Sequence, residues 1–478
     1  METVSYDVVV IGGGAVGENA ADRAARTGLS VLVVERELVG GECSYWACMP
    51  SKALLRPGAV LAQARAVPGA AELVTGELDP ARVLARRDEF TSHWDDHGQV
   101  AWLESAGLAL LRGSARFTGE KELVVDNEED GTSTRVIARH AVIVASGSEP
   151  VMPNIPGLVE SVPWTSREAT AVEEIPGRLA ILGGGVVGVE MATAYRDLGA
   201  EVTLIVRGDR LLNGAEPFAA EEVAAGLREL GVHLRFSTET TAVRRDSSGV
   251  HLSVTGPQGE DTIDAEELVV ATGRRPRTDL GLETIGVERL TVDDAMQVPG
   301  HDWLFAVGDV TGRTATTHQG KYDARVAGDV VAARFGSDEQ LRADEQNAGD
   351  WTRFRASADH AAVPQVVFSR PEVAWVGQTE QQAAEAGRAV RTVSYAIGSV
   401  AGASVSADGY RGTAQLVIDR DSQVILGATF TGPDAAELLQ TATVAVVAGI
   451  PLSRLWHAVP AYPTVSEVWL RLLETAGL

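Results

Sequence analysis

Short apolar runs alternate with amphipathic segments along the first half of the chain. The run VVVI at residues 8–11 is followed by glycines, by a segment with apolar residues at helical spacing, and by a second apolar run at residues 31–34. The same order returns later, where residues 178–207 align without a gap to residues 7–36. Strand, turn, helix and strand in this order predict a parallel βαβ unit, so the chain is predicted to be α/β with this unit present twice.

Both predicted turns carry the glycine pattern of dinucleotide-binding units. Such glycines permit a tight turn, the approach of the backbone to a pyrophosphate, and close packing of helix on strand. The pattern is formed by Gly12, Gly14 and Gly17 in the first copy and by Gly183, Gly185 and Gly188 in the second. An ordinary tight turn would explain one copy, but two copies in register favour two Rossmann-like nucleotide sites.

The two copies differ where the second strand ends. Glu35 closes that strand in the first copy, and a carboxylate there accepts hydrogen bonds from ribose hydroxyls. The second copy has Val206 at the aligned position, then Arg207 and, a turn further on, Arg210. Guanidinium groups pair with a 2′-phosphate, so the first site is predicted to take an unphosphorylated ribose and the second to favour NADPH over NADH. Two arginines that are merely solvated are the alternative.

The remaining sequence indicates three domains. Two helices, at about residues 48–66 and 79–105, and a β-meander are expected to continue the first unit. A proline-rich segment leads into the second unit, and the pattern beyond residue 346 is that of an α+β domain. The predicted boundaries are 1–150 with 271–345 for the first nucleotide domain, 151–270 for the second, and 346–478 for the C-terminal domain.

The chain is strongly acidic. Its 478 residues include 41 Lys and Arg against 66 Asp and Glu, a formal net charge of −25, which repels nucleic acid and anionic lipid. No uncharged apolar run is long enough for a membrane helix, and the first residues show no export signal, so a cytoplasmic protein is predicted. His93, Trp94 and His97 are interpreted as a packed or solvated helix face rather than a site, and no metal site is predicted.

Both cysteines lie in one segment, GGECSYWACMPSK, at residues 40–52. A metal half-site, a structural staple and a redox couple are the three interpretations. Zinc takes four ligands and no further Cys or clustered His lies nearby, while a disulfide across so short a loop restricts little chain entropy. Residues five apart in a regular helix are about 8–9 Å apart, so bridging Cys43 and Cys48 requires a distorted helix start, which the flanking glycines and Pro50 permit. A redox couple is therefore favoured.

On these residues the chain resembles the flavoprotein disulfide reductases, the family of lipoamide dehydrogenase, glutathione reductase and mercuric reductase. The family pattern G-G-T-C-x-x-x-G-C-x-P-[ST]-K is matched by both cysteines, by their spacing and by Lys52. The resemblance implies FAD in the first site and a nicotinamide dinucleotide in the second. It also implies that Cys48 lies beside the flavin and that Cys43 is the outer thiol, which exchanges with a substrate.

The resemblance extends to residues outside this segment. Asp309 in AVGDV matches a flavin-binding aspartate, and the strand ends VASG and VATG place Gly147 and Gly273 between domains. Glu190 matches the glutamate that pairs with the lysine beside the flavin, here Lys52. The resemblance also implies that the C-terminal α+β domain is a dimerisation domain and that the protein is a homodimer.

The sequence departs from the family near its C-terminus. The family ends with H-P-T-x-x-E, a histidine base held by a glutamate and contributed by the other subunit, whereas AYPTVSE has Tyr462 at the histidine position and keeps Glu467. A phenol is a poor proton shuttle at neutral pH, so dithiol exchange is expected to suffer. The sequence leaves open whether Tyr462 or His457 replaces the base or exchange is abandoned. Asn213 falls where glutathione reductase has its second phosphate-binding arginine, so NADH stays an alternative to NADPH.

Three functions follow from these observations. The favoured one is an FAD-dependent oxidoreductase that passes electrons from NADPH through the cysteine couple to a disulfide or other small acceptor. The alternative is a flavin reductase of quinones, nicotinamide or metal ions without dithiol exchange, similar to soluble transhydrogenase, which has the same tyrosine but lacks one cysteine. A non-catalytic flavin-binding redox sensor is disfavoured, because a scaffold has no physical need of both cysteines, Lys52 and Glu190.

Overall fold

The computed structural model describes all 478 residues and divides into two compact units. Unit 1 comprises Met1–Met49, Asp88–Glu149 and Arg274–His360, and unit 2 comprises Pro50–Arg87, Pro150–Gly273 and Ala361–Leu478. Each unit contains one copy of the repeated sequence. The finer division into three domains stays a prediction.

The secondary structure is mixed. The strands are β1 (Glu2–Ile11), β2 (Val31–Glu35), β3 (Ala109–Arg112), β4 (Ser114–Gly119), β5 (Glu122–Asn127), β6 (Thr132–Val144), β7 (Ser148–Pro150), β8 (Arg178–Leu182), β9 (Glu201–Ile205), β10 (His233–Arg235), β11 (Glu239–Asp246), β12 (Gly249–Gly256), β13 (Gly259–Ala265), β14 (Glu267–Val270), β15 (Arg274–Pro276), β16 (Leu304–Ala306), β17 (Gln365–Val367), β18 (Glu372–Gly377), β19 (Val390–Ala396), β20 (Thr413–Asp419) and β21 (Ile425–Gly432).

The α-helices are α1 (Ala15–Ala25), α2 (Gly41–Tyr45), α3 (Cys48–Arg65), α4 (Pro80–Phe90), α5 (His97–Ser105), α6 (Ser166–Ala171), α7 (Val186–Asp197), α8 (Pro217–Glu229), α9 (Thr317–Phe335), α10 (Glu339–Gln346), α11 (Glu380–Glu385), α12 (Ala401–Ser406), α13 (Ala435–Val447), α14 (Leu452–Leu455) and α15 (Val468–Thr475). Short 3-10 helices lie at Ala71–Leu73, Ser92–Trp94, Leu282–Ile285, Gly308–Thr311, Ser357–His360, Ile397–Ser399 and Val465–Glu467. None of the helices combines the length and apolar composition needed to cross a bilayer.

Unit 1 is built on a seven-stranded sheet. Its order is β3-β2-β1-β6-β5-β4, with β16 also paired to β6. β1 is parallel to β2 and β6, whereas β4, β5 and β6 form the antiparallel meander that the sequence predicts. Val8 and Val10 pack with α1 and α9 on one face, while Val9 and Ile11 pack into a second cluster on the other. The strand is apolar throughout because both faces of the sheet are covered.

Unit 2 contains three sheets. The second repeat forms a parallel sheet of order β10-β9-β8-β14, with α7 and α8 packed against Leu179 and Ile181. The antiparallel sheet β11-β12-β13 covers its other face through Val250 and Leu252. The third sheet, β17-β18-β21-β20-β19, is antiparallel and packs against α13 and α15, which gives the α+β pattern predicted for the C-terminal region.

One predicted helix is wrong. The segment 79–105 forms α4 and α5, which are separated by a turn in which Ser92, His93 and Trp94 have φ of 50°, 53° and 56°. Three consecutive left-handed residues end a right-handed helix, and nothing in their side chains signals this in the sequence. His97 begins α5, and its exposed ring lies 2.7 Å from the Asp95 carboxylate, so the three aromatic residues do not share a helix face.

Candidate functional site

The first glycine turn lies in unit 1 between β1 and α1. Gly12 has φ of +103°, and a Cβ there would overlap the carbonyl oxygen of Ala145. A Cβ at Gly17 would overlap the carbonyl oxygen of Gly12, so helix and strand approach too closely for any side chain. Gly14 caps α1 without a side chain, and the nearest atom to an added Cβ is Gly41 Cα at 3.8 Å. The α1 N–H groups are therefore left open to an anion.

The second glycine turn, in unit 2, repeats this geometry. Gly183 has φ of +114° and faces the Ala271 carbonyl oxygen, and a Cβ at Gly188 would overlap the Gly183 carbonyl oxygen. Gly185 caps α7, and an added Cβ there would meet open space. The two turns thus have equivalent constraints, which fit two bound pyrophosphates.

The residues predicted to choose the nucleotide lie at the strand ends. Glu35 is buried, and its carboxylate accepts 2.7 Å hydrogen bonds from the backbone N–H groups of Gly13 and Glu37. Burial raises the pKa of Glu35, while these two hydrogen bonds oppose the shift. Each carboxylate oxygen keeps a second lone pair, so the group still has acceptor capacity for a ribose.

The second site has no carboxylate at this position. Val206 is buried and Arg207 is exposed. Arg210 folds back on its own loop, with Nη2 3.1 Å from the Asn213 carbonyl oxygen and Nε 3.3 Å from Asn213 Oδ1. Arg207 is therefore the arginine that the structure leaves most accessible to a 2′-phosphate.

The helix is interrupted between the two cysteines, as the close approach of their sulfurs requires. α2 ends at Tyr45, Trp46 has φ of −136°, and α3 begins at Cys48. Gly41, at the start of α2, has φ of +58°, and a Cβ there would lie 2.9 Å from Gly14 Cα. The segment therefore packs against the first glycine turn only because both contacting residues are glycine.

Both cysteines are free thiols in contact with each other. The hydrogen bond to Cys48 raises the pKa of the Cys43 thiol, burial raises it further, and Thr317 and Lys321 act in the opposite direction. Thr317 is the first residue of α9, and its Oγ1 lies 3.2 Å from Cys48 Sγ. The thiol pair is thus held between the start of α3 and the start of α9.

A polar region with unmet hydrogen-bonding capacity adjoins this end of α9. Asp309 accepts a 2.6 Å hydrogen bond from Ser148 Oγ, which in turn accepts one of 2.7 Å from Arg274 Nε. The hydroxyls of Thr314 and Thr316 are buried without a partner. Buried hydroxyls are normally bonded, so these groups fit a polyhydroxylated, hydrogen-bonding cofactor such as FAD.

Gly147 and Gly273, from the two strand-end motifs, have left-handed backbone angles but no crowding. Their φ angles are +73° and +118°, and an added Cβ at either would meet open space. Their constraint is therefore in the backbone conformation and not in crowding.

Lys52 lies one turn after Cys48 on α3 and forms an ion pair within unit 2. Its Nζ is 2.7 Å from Glu190 Oε2 and 5.0 Å from the centre of the Phe368 ring. Glu190 is 3% exposed, and its Oε1 accepts a hydrogen bond from the Phe368 N–H at 3.0 Å. The structure thus brings together the lysine and glutamate that the family resemblance pairs.

In the C-terminal segment AYPTVSE, the tyrosine and the glutamate are not bonded to each other. Tyr462 is 76% exposed, and His457 is also exposed. Glu467 Oε1 is bonded to Arg471 Nη2 at 2.6 Å, whereas its Oε2 is buried without a partner. Neither Tyr462 nor His457 is held by Glu467 in the chain itself.

Sequence reasoning missed two residues that act on the thiols, Thr317 and Lys321. Lys321 lies one turn after Thr317 on α9. No spacing rule connects residues 43–48 to residue 317, because α9 reaches the thiols only through the sheet order of unit 1.

Comparison with known proteins gives a consistent result. Residues 6–324 match the model of the pyridine nucleotide-disulphide oxidoreductases, and residues 363–472 match that of their dimerisation domain, which supports a homodimer. The chain is 34% identical to mercuric reductase of Streptomyces lividans, over 97% of this chain and 94% of that protein. It is also 34% identical to dihydrolipoyl dehydrogenase of Thermus scotoductus, over 98% and 97% of the two chains.

A solved structure has the same fold. The HOCl-induced flavoprotein disulfide reductase RclA from Escherichia coli matches with a TM-score of 0.81 and 25% identity, covering 98% of this chain and 99% of that one. The repeated glycine turns, the thiol pair and the family matches agree along the chain. The chain therefore belongs to the pyridine nucleotide-disulphide oxidoreductases, a family of enzymes that depend on FAD and use NAD(P)H.

Proposed function

We propose that the protein passes electrons from NADPH through FAD to the Cys43 and Cys48 couple and from there to a small disulfide. The observation that carries this proposal is the contact between the two thiols, with Thr317 Oγ1 3.2 Å from Cys48 Sγ. Two sulfurs in hydrogen-bond contact need little movement to form a disulfide and to open it again.

Each of the residues that the family resemblance singles out has a definite task in this proposal. Bound FAD supplies the two-electron step between the nicotinamide and the disulfide. Cys48 is the inner sulfur, which shares a hydrogen bond with the Thr317 hydroxyl, and Cys43 is the outer sulfur that attacks the acceptor. Glu190 holds the Lys52 ammonium in one position through its 2.7 Å ion pair. A fixed cation favours thiolate over thiol and any anionic form over its neutral counterpart.

The proposed nucleotide sites follow the two repeats. Gly12, Gly14, Gly17 and Glu35 would hold FAD together with Asp309, and Gly183, Gly185 and Gly188 would hold the nicotinamide dinucleotide. Arg207, with no carboxylate before it in the loop, supports NADPH over NADH. The three-domain division of residues 1–150 with 271–345, 151–270 and 346–478 belongs to the same proposal, with the last domain forming a homodimer.

A second candidate function has its own observation. Tyr462 is exposed and Glu467 Oε2 lacks a partner, which supports an exchange site without the imidazole base that the family resemblance predicts there. Electrons would then leave the flavin directly for a quinone, a nicotinamide or a metal ion. Relatives named mercuric reductase and a Cu(II) complex of the RclA protein make metal ions the acceptor class to test first within this alternative.

Thiol counting separates the two functions. The holoenzyme is reduced anaerobically with one equivalent of NADPH, quenched with iodoacetamide, and mapped by mass spectrometry. The proposed function expects alkylation of Cys43 and Cys48 only after NADPH is added, followed by loss of both thiols when a small disulfide is supplied. Cys43→Ser is the control, which keeps the flavin spectrum but cannot consume a disulfide. Turnover of quinone or metal ion at the wild-type rate in Cys43→Ser would overturn the proposal in favour of direct transfer.

A further inference from the structure

One aromatic residue of the C-terminal region contacts both members of the Lys52 and Glu190 ion pair. Phe368 directly follows β17, and its backbone N–H donates a 3.0 Å hydrogen bond to Glu190 Oε1. The other oxygen of that carboxylate, Oε2, lies 2.7 Å from Lys52 Nζ, and the same ammonium lies 5.0 Å from the centre of the Phe368 ring. Each of the three residues therefore contacts the other two.

The contact between the ammonium and the ring is attractive. A cation within about 6 Å of a ring centre is drawn to the negative face of the ring, and more strongly where water is excluded. Glu190 is buried and Phe368 is half-buried, so water reaches this contact only in part. The Lys52 side chain is 36% exposed, so its ammonium has solvent to move into if either contact is lost.

The backbone that carries the ring is fixed against the two helices of the ion pair. Arg370, two residues after Phe368, donates a 2.9 Å hydrogen bond to the Gly58 carbonyl oxygen on α3 and pairs with Asp197 on α7. A Cβ at Gly58 would lie 1.9 Å from Asp197 Oδ2, so the two helices meet at this point. Because α3 carries the lysine of the pair and α7 its glutamate, the ring approaches both from a defined position.

The chain uses lysine sparingly, which makes the cation at this position informative. Lys52, Lys121 and Lys321 are its only lysines among 41 basic residues. A guanidinium is planar and spreads its charge, whereas an ammonium is a compact charge that fits between a carboxylate and a ring face. The triangle therefore contains the compact cation in a chain that otherwise uses arginine.

We propose that Phe368 is a positioning residue for the Lys52 ammonium, and that through this ammonium the end of β17 favours the reduced state of the flavin site. Lys52 lies one turn after Cys48 on α3, so the held charge is close along the helix to the inner thiol. The positioning itself needs only the contacts described above. Its effect on reduction rests on the proposed function, because it requires bound FAD.

A held charge favours a nearby anion more than a mobile charge does, since a mobile side chain must lose conformational freedom to return. The reduced state of the flavin site is the more negative one, so loss of the ring should disfavour it. A cation and ring contact of this kind changes an equilibrium about fivefold. For a two-electron couple this factor corresponds to about 20 mV.

The first measurement does not depend on flavin chemistry. Holoenzyme is treated with a limiting amount of an acetylating reagent, and mass spectrometry compares acetylation of Lys52 with that of Lys121, which pairs with Glu120 in unit 1. Phe368→Leu removes the ring but keeps the backbone N–H and an apolar side chain. It should raise the ratio of Lys52 to Lys121 acetylation about threefold or more, whereas Phe368→Tyr, which keeps the ring face, should stay within about twofold of wild type.

Phe236→Leu is the matched control for both measurements. It makes the same substitution in unit 2 and removes a ring that lies 5.7 Å from the Arg228 guanidinium carbon, and this ring packs against the same hydrophobic cluster as Phe368. It leaves the contacts of Lys52 in place. Its acetylation ratio and its flavin potential should match those of the wild type.

The second measurement is the two-electron midpoint potential of the bound flavin, titrated anaerobically against a reference dye. Phe368→Leu should lower the ratio of reduced to oxidised flavin at a given potential about fivefold, a midpoint about 20 mV more negative, and Phe368→Tyr should restore it. In a Lys52→Met background, Phe368→Leu should change that ratio by less than about twofold, because the ring then has no ammonium to hold.

The outcomes separate the positioning role from the proposed function. An unchanged acetylation ratio or an unchanged potential in a folded, flavin-containing Phe368→Leu protein would overturn the role of Phe368. A potential shift that is equally large in the Lys52→Met background would also overturn it, since the ring would then act through packing alone. Cysteines that NADPH does not reduce in the wild type would instead overturn the proposed function. If Phe368→Leu does not fold, Phe368→Met, which also lacks a ring, takes the same two tests.

Discussion

A buried carboxylate oxygen near the C-terminus has no hydrogen-bond partner. Glu467 Oε2 is buried and unbonded, while Tyr462, where the family resemblance predicts a histidine, is 76% exposed. Leaving a buried acceptor unbonded costs about 1–3 kcal/mol, so a donor within reach of this oxygen would be stabilising. The family imidazole would be such a donor.

Tyr462→His should therefore speed dithiol exchange. An imidazole titrates near pH 6.5 and can bond to the free Glu467 oxygen, so the rate with a small alkyl disulfide at pH 7.5 should rise about tenfold. Stopped-flow oxidation of the reduced holoenzyme measures this rate. Tyr462→Phe is the matched control and should stay within about twofold of wild type. An unchanged rate in a folded Tyr462→His protein would show that position 462 does not serve the dithiol.

The Lys52 to Glu190 pair makes a separate prediction about stability. Glu190 is 3% exposed, so Lys52→Met leaves a buried carboxylate with only the Phe368 N–H as a partner. We expect the free energy of unfolding in urea to fall by about 1–3 kcal/mol, and the double variant Lys52→Met with Glu190→Gln to recover most of that loss. Additive losses in the double variant would mean that the two side chains do not depend on each other.

At the scale of elements, the glycine turns allow a matched test. A Cβ at Gly17 or at Gly188 would overlap the carbonyl oxygen of Gly12 or of Gly183, respectively. Gly17→Ala should therefore yield protein with little bound flavin, whereas Gly188→Ala should stay yellow but bind NADPH at least tenfold more weakly. Absorbance and equilibrium dialysis measure the two properties. Gly98→Ala, in α5 where an added Cβ meets open space, should affect neither. If Gly188→Ala lost its flavin and Gly17→Ala instead bound NADPH more weakly, the two nucleotides would have to be assigned to the opposite sites.

The elements also show what a sequence can predict. The two βαβ units were predictable because a glycine pattern that follows a continuous apolar strand is typical of a dinucleotide-binding βαβ unit. The start of α3 at Cys48 was also predicted. The helix predicted over residues 79–105 failed at the left-handed turn of Ser92, His93 and Trp94, because no feature of these side chains signals such a turn. Thr317 and Lys321 were missed because their contacts with the thiols join residues about 270 positions apart, and no local pattern records such contacts.

At the scale of the whole molecule, the net negative charge and the burial of one acid both lower the stability of the fold as the pH rises. The chain carries a net charge of −25, and further ionisation adds to its self-repulsion. Within unit 1, Asp323 is fully buried on α9 near Asp359, whose carboxylate is bonded to Gln319 and Arg313. Burial first, and then the charge of Asp359, raise the pKa of Asp323 to about 8.

This buried acid gives the stability of the protein a specific pH dependence. Between about pH 4 and pH 8 the folded chain keeps a proton on Asp323 that the unfolded chain has released, so the free energy of unfolding falls as the pH rises through that window. Asp323→Asn carries no such proton. Between pH 5.5 and pH 8 its free energy of unfolding in urea should therefore fall by about 1–3 kcal/mol less than that of the wild type. Asp302→Asn, which changes an exposed carboxylate of the same unit, should keep the wild-type slope. Through most of this window Asp302→Asn removes a negative charge from the folded chain and Asp323→Asn does not, so a slope that changes in Asp302→Asn as well would assign the effect to net charge and not to the buried acid.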